Sequence, residues 1–425
     1  MPDHHPSVAD NRPSVAVIGS GVSGLTAAYL LRHTHRVTVF EADNRPGGHA
    51  HTHEVADSAG RTHRVDSGFI VHNEQTYPQL RRLLGELGIE TRPTEMSMSV
   101  HCDGCGLEYA GGRGAKAVVG RQIADKRFVR MLTEVRRFHR EARRLLAAGD
   151  DGCTWEGFLR AHRFSSYFIR HFAIPLVACV WSCGSGPAGR YPALYLFRFL
   201  DHHGMLSVGG SPTWRTVVGG SRTYVDEVVE RIGDVRTNAP VRAILRHVDG
   251  VAVSTADRCL EFDRVVLATH ADTALDLLAD ATPAEKSLLG AFTYSVNPAW
   301  LHTDPAVLPS KTRARSSWNY RMRDCEADEP QVLVSYWMNR LQGLDAADQY
   351  LVTLNPSGWV NPATVVSRMT YAHPVFTPGS VAAAPFLREA GGPRLAFAGA
   401  HLGWGFHEDG CRSGVEAAAR FGVRW

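Results

Sequence analysis

Residues Val15 to Ala28 read Val-Ala-Val-Ile-Gly-Ser-Gly-Val-Ser-Gly-Leu-Thr-Ala-Ala, an apolar run broken by three spaced glycines and continued by helix-forming residues. The pattern restricts the fold. A buried parallel strand ends at Ile18, Gly19 permits a tight turn, Gly21 lets backbone approach a pyrophosphate, and Gly24 lets the following helix pack on the strand. Ser20, Val22 and Ser23 lie in the same turn, whose helix-start amides suit an anion. A second apolar run, Arg36 to Phe40, follows at βαβ distance and ends in Glu41, placed for a ribose hydroxyl; an acidic residue there disfavours a 2′-phosphate. The expectation is a dinucleotide carrying ADP-ribose, either FAD or NAD.

The continuation Glu41-Ala42-Asp43-Asn44-Arg45-Pro46-Gly47-Gly48-His49 separates the two. It resembles the Glu-x-x-x-x-x-Gly-Gly segment of glutathione-reductase-like flavoproteins. That resemblance implies FAD and adds Ala42, Gly47, Gly48 and His49 to the cofactor residues.

At 425 residues the chain is long enough for two or three domains. A net charge of +3 is too near balance for a nucleic-acid partner, and 21% charged with 9% aromatic residues is the profile of a soluble globular protein. The lysines are Lys116, Lys126, Lys286 and Lys311; nearly all positive charge is arginine. Cysteines are scattered, which favours reduced thiols and a cytoplasmic setting. His101-Cys102-x-x-Cys105 is the one metal-like cluster; it reads as a turn, so no metal is expected. Cys179 and Cys183 read as core. The segment Met1 to Arg12 lacks an apolar stretch and reads as a disordered lead-in. Phe164 to Trp181 is the most apolar stretch, but Arg170, His171 and Pro175 make it a buried helix, with peripheral bilayer contact left open.

Further along, Val55 to Val65 reads as a hairpin, Tyr77 to Leu87 as a helix closed by Gly88, and Arg121 to Leu146 as an Arg-rich helical region. The Arg-rich face is solvated, or is a basic patch for an acyl carrier or phospholipid headgroup. Val235 to Ala243 reads as a strand, Phe262 to His270 as an edge turn feeding a buried strand that ends in Ala268-Thr269, and Gln331 to Met338 and Thr364 to Met369 as strands. Trp300, Trp318, Tyr320, Trp337, Trp359 and Tyr371 supply either an aromatic wall or ordinary sheet core. His202 and His203 read as core, capping or substrate-facing residues.

Several segments together resemble the flavin amine oxidase superfamily, which includes monoamine oxidases, protoporphyrinogen oxidase and phytoene desaturases. More closely, they look like bacterial amine oxidase-like proteins associated with fatty-acid modification. Asp66-Ser67-Gly68-Phe69 resembles the segment passing the isoalloxazine, which implies Ser67, Gly68 and Phe69 as flavin neighbours and Asp66 as an anchor. Gly219-Gly220-Ser221 is similar to the return into the cofactor domain, Val241 to the adenine contact, and Thr269 to the end of a second cofactor motif. Gly399, Ala400, Asp409 and Gly410 match the C-terminal motif, whose helix points at the flavin pyrimidine. Two departures stand out. Ala400 replaces the usual carboxylate, and no lysine matches the one that holds a water near the flavin in amine oxidases.

The resemblance implies an α/β protein: a Rossmann-type FAD-binding domain with a parallel sheet, from residues 12–75, 205–275 and 390–425. An inserted α+β substrate domain with a mixed sheet takes residues 76–204 and 276–389. It also implies a small-molecule, apolar substrate and hydride abstraction of the desaturase or oxidase type from a lipid or polyene. Alternatives are amine oxidation at C–N, redox-neutral double-bond isomerisation, a non-catalytic flavoprotein subunit of a lipid-modifying partner, and NAD-dependent dehydrogenation if no flavin binds. His407, as base or orienting group, with Trp404 and Phe406 beside it, is the catalytic expectation. His49, His51 and His53 read as a polar loop.

Overall fold

A computed structural model describes residues 11–111, 124–149, 152–182, 184–206, 212–325 and 332–425. The lead-in, Cys183, Gln331 and the start of the Arg-rich region fall outside them. The chain forms two compact units, one of residues 1–48, 225–291 and 383–425, the other of residues 49–224 and 292–382.

The first unit is built on a five-stranded parallel sheet. Its order is Val235–Arg236, Arg36–Phe40, Ser14–Ile18, Arg264–Leu267 and Leu395–Phe397. Both faces are covered, which is why the central strands read as unbroken apolar runs rather than alternating ones. The helix Val22–Leu31 is buried along all ten residues and packs against the C-terminal helix His407–Arg420. A three-stranded antiparallel sheet, Ala243–Arg246, Val251–Ser254 and Cys259–Phe262, completes the unit.

The second unit centres on a seven-stranded mixed sheet. In order its strands are Val365–Val375, Thr293–His302, Leu351–Leu354, Leu333–Trp337, Trp318–Met322, Met98–Cys102 and Leu107–Gly111, with one parallel pairing, Trp318–Met322 on Met98–Cys102. A helical layer joins it. There Phe138, on the helix Lys126–Ala148, meets Trp155, Phe158, Phe168 and Phe197 ring to ring. Among the described residues no helix is long and apolar enough to cross a membrane.

Four expectations change. The strand expected over Val235 to Ala243 stops at Arg236, because Asn238 turns left-handed at φ 50° and Pro240 has no N–H to donate. The buried helix of Phe164 to Trp181 contains a π-helical stretch, Ile169–Ala173. The strand expected over Gln331 to Met338 ends at Trp337, and Met338 opens a short helix. The unit boundaries also differ from the domain boundaries read from sequence. Residues 49–75 and 205–224 stay with the second unit because they pair with each other: Val71–Asn73 lies on Trp214–Val217, and Asp66 is bonded to Thr52 and Ser221. Residues 276–291 join the first unit, where Glu285 holds Arg246 through two hydrogen bonds of 2.6 and 2.8 Å.

Candidate functional site

The glycine turn of the first unit is built as its spacing demands. Gly19 sits at φ 98°, and a Cβ there would lie 2.7 Å from the carbonyl oxygen of Ala268. A Cβ on Gly24 would lie 2.0 Å from the Gly19 carbonyl oxygen, so only glycine lets helix and turn meet. At Gly21, by contrast, a Cβ would meet nothing within 4 Å. Open space lies in front of a ten-residue helix that has neither a side-chain cap nor an acidic residue in its first turn. Its orphan amides and dipole suit an anion there.

Glu41 orders this turn from the neighbouring strand. One carboxylate oxygen accepts from the Ser20 amide at 3.0 Å and hydroxyl at 2.5 Å, and the other accepts from the Asp43 amide at 2.9 Å. The second glycine pair folds over the first: Gly47 donates to the Ser20 carbonyl, and a Cβ on Gly48 would come within 3.2 Å of the Gly21 Cα. The segment before Val241 is tied to the same loop, with Asn238 and Ala239 donating to the Asp43 and Glu41 carbonyls. Ala42 is exposed; Thr269 follows the strand Arg264–Leu267 and bonds the His270 carbonyl. A bare, amide-lined cradle with its acidic residue one strand away fits a dinucleotide pyrophosphate.

The C-terminal motif differs in detail from its expected role. Gly410 does make close approach possible, but to the first helix: a Cβ there would sit 2.5 Å from Val22 Cγ1. Asp409 is buried and turned inward, accepting from the Phe406 amide at 3.1 Å and from Arg412 at 2.7 Å. Burial raises its carboxyl above the usual range. Gly399 donates to Ser413 Oγ, and Ala400 begins a 3-10 turn containing His401, whose pKa burial lowers to about 3. His407 is buried at the first position of the C-terminal helix, with Trp404 and Phe406 half-buried before it.

In the second unit, Asp66 is an anchor, as expected. It accepts from Thr52 Oγ1, from the Ser221 amide and hydroxyl, and from Gln342 Nε2. Burial lifts its pKa to about 6. The next residue opens a network that the sequence reading did not assemble. Ser67 Oγ lies 2.8 Å from His53 Nε2 and 2.7 Å from the Tyr371 hydroxyl, which is 3.3 Å from His51 Nδ1. His49 packs on the rings of Tyr371 and His373. A Cβ on Gly68 would collide with the His49 carbonyl oxygen at 2.1 Å, and Phe69 donates to that same carbonyl. The signal was present: His49, His51 and His53 recur with period 2, as do Tyr371 and His373, and that period puts each set on one face of an extended chain. His203 is instead a buried core histidine bonded to the Phe199 carbonyl. Lys126, Lys286 and Lys311 are exposed, so no described lysine is buried in either unit.

Comparison with known proteins agrees with this geometry. The family model of flavin containing amine oxidoreductases matches residues 22–421. An L-amino-acid oxidase of Daboia russelii is 50% identical over 44 residues, 10% of this chain and 9% of its own length. Coproporphyrinogen III oxidase of Mycobacterium leprae (strain TN) is 27% identical over 297 residues, 64% of this chain and 62% of the relative. The chain thus spans less than two thirds of these curated relatives. Among solved structures, cyclohexylamine oxidase from Brevibacterium oxydans IH-35A superposes with a TM-score of 0.71 at 18% identity, covering 96% of this chain and 98% of that one. A CLA-producing fatty acid isomerase from P. acnes gives 0.70 at 17%, covering 98% and 100%. These likenesses share the fold, and the family match covers nearly the whole chain: the protein belongs to the flavin containing amine oxidoreductase family.

Proposed function

We propose that the protein removes a hydride from an apolar substrate of the lipid or polyene class. The observation that carries this reading is the Ser67–Tyr371–His51–His53 network, whose members are hydroxyls and imidazoles with no lysine or carboxylate among them. Asp66, next in sequence, has both oxygens occupied by Thr52, Ser221 and Gln342. Its hydroxyls and imidazoles can hold a carboxylate or hydroxyl headgroup by hydrogen bonds.

FAD supplies the hydride-accepting chemistry when bound. Gly19, Ser20, Gly21, Val22, Ser23 and Gly24, with Glu41, Gly47 and Gly48, are the residues proposed to hold its ADP half; Ala42, Val241 and Thr269 border that half. His49, Ser67, Gly68 and Phe69 are proposed to border its ring, together with Gly399, Ala400 and Gly410. Asp409 acts by fixing the loop before the C-terminal helix. Tyr371 and Ser67 orient the substrate, and His407, with Trp404 and Phe406, is proposed as a second orienting group. The arginine-lined surface groove of Arg136, Arg140, Arg143 and Arg144 suits an anionic acyl carrier or headgroup.

A second reading, redox-neutral isomerisation of a double bond, is favoured by the full-length likeness to a fatty acid isomerase. Anaerobic mixing with an unsaturated fatty acid tests both. Bleaching of the flavin with a newly desaturated product supports oxidation, and a shifted double bond without net bleaching supports isomerisation. Bleaching by cyclohexylamine or putrescine, with inertness to every lipid, would refute the proposal in favour of C–N oxidation. Lipid turnover only in the presence of a second enzyme, unaffected by His407→Ala, would refute it in favour of an accessory flavoprotein.

A further inference from the structure

We propose that Cys102, Cys105, His171 and Cys325 form a tetrahedral zinc site in the second unit, separate from the flavin chemistry. The four ligand atoms lie within 4.8 Å of one another. Cys102 Sγ is 3.7 Å from Cys325 Sγ; His171 Nε2 is 3.8 Å from Cys105 Sγ and 3.5 Å from Cys325 Sγ. A zinc ion about 2.3 Å from thiolate and about 2.0 Å from imidazole, with tetrahedral angles, sets sulfurs about 3.8 Å apart and sulfur and nitrogen about 3.5 Å apart. The separations match that geometry, and they far exceed the sulfur–sulfur bond of about 2.05 Å in a disulfide.

Local backbone presents each ligand. Cys102 and Cys105 flank the turn between the strands Met98–Cys102 and Leu107–Gly111, where Gly106 takes φ 69°. The turn lies against the segment carrying Cys325: Asp103 donates to the Met322 carbonyl, and a Cβ on Gly104 would come within 2.8 Å of the Asp324 Cα. His171 sits in the π-helical stretch Ile169–Ala173, a distortion common at functional sites. Its Nδ1 lies 3.0 Å from the Tyr167 carbonyl, so Nδ1 carries the proton and Nε2 offers its lone pair. Arg170 holds the Cys325 carbonyl at 2.8 Å, and the Tyr109 hydroxyl holds that of His171 at 2.6 Å.

The reading of this stretch as a metal-free turn saw only two of the ligands. His101, the nearest candidate in sequence, alternates to the other face of its strand and bonds Asp103 at 3.1 Å. The ligands that complete the set come from positions 171 and 325, beyond the reach of a spacing pattern. With all four positions filled by protein, the site is structural. It clamps a hairpin, a helix and a strand end whose cysteines are 223 residues apart.

Metal analysis of the purified, untagged full-length chain, with X-ray absorption at the zinc edge, tests the proposal. The expected result is one zinc per chain, bound by three sulfurs at about 2.3 Å and one nitrogen at about 2.0 Å, with zinc content falling at least tenfold in Cys325→Ser and His171→Ala. Should those variants fail to fold, cobalt(II) added to the metal-free wild type gives an independent readout. One equivalent should bind with thiolate charge-transfer and tetrahedral d–d absorption. Reduced protein that takes up neither metal, a shell without three sulfurs, or a Cys102–Cys325 disulfide in freshly isolated protein would overturn it.

Discussion

Gly414→Ala is the sharpest probe of how the cradle is held. The C-terminal helix lies so close to the first helix that a Cβ on Gly414 would stand 2.4 Å from the Ser23 carbonyl oxygen, 2.9 Å from Thr26 Cβ and 3.1 Å from the Ala27 amide nitrogen. Ordinary contacts need roughly 3.5–4 Å, so the helices must part by about 1 Å. Overpacking against backbone costs about 3 kcal/mol, and alanine's better helix propensity returns about 1 kcal/mol, leaving a net loss of about 2 kcal/mol. Gly410→Ala differs, because its Cβ meets a side-chain methyl of Val22 at 2.5 Å. Trimming that side chain relieves it. Urea unfolding of the three single variants Gly410→Ala, Gly414→Ala and Val22→Ala and of the two doubles with Val22→Ala should show coupling of at least about 1 kcal/mol for Gly410→Ala, and additivity within about 0.5 kcal/mol for Gly414→Ala. A Gly414→Ala protein as stable as wild type, or one rescued by Val22→Ala, would refute the packing argument.

Three other predictions concern single groups. Glu41→Gln exchanges a carboxylate oxygen for a donor beside the Ser20 and Asp43 amides, at about 1.5–3 kcal/mol, so FAD affinity measured by flavin fluorescence should fall about tenfold or more; unchanged affinity would contradict the ordering role. Burial raises Asp66 from 3.8 to about 6, so the stability this group contributes is full below about pH 4 and is lost as pH rises through about 6. The wild-type advantage over Asp66→Asn should therefore shrink by up to about 3 kcal/mol between pH 4 and pH 7; a constant difference across that window in urea unfolding would count against it. Tyr371→Phe removes the hydroxyl shared by Ser67 and His51. Flavin reduction by substrate should slow roughly a hundredfold with flavin content unchanged, and an undiminished rate would remove Tyr371 from the proposed wall.

The cradle was legible because its geometry is local. Gly19, Gly21, Gly24 and Glu41 sit within one βαβ unit, and at Gly19 and Gly24 the glycine answers a steric demand that the spacing reveals. The parallel sheet was legible for a similar reason, since strands buried on both faces appear as continuous apolar runs. Long-range arrangement was not. Asp66 reaches Gln342 and Ser67 reaches Tyr371 across 276 and 304 residues, and no periodicity announces such meetings. Asp409 stands where the motif implies a cofactor contact, and its oxygens accept from the Phe406 amide and Arg412. Gly410 permits close approach of helix to helix.

The most direct test is the visible spectrum of the purified chain before and after acid precipitation. Flavin bands that pass into the supernatant at one FAD per chain are the predicted result, since the proposed cradle would hold its cofactor through backbone amides and shape. A colourless protein that refuses added FAD would contradict the reading of the Gly19 to Gly48 cradle on which the rest depends.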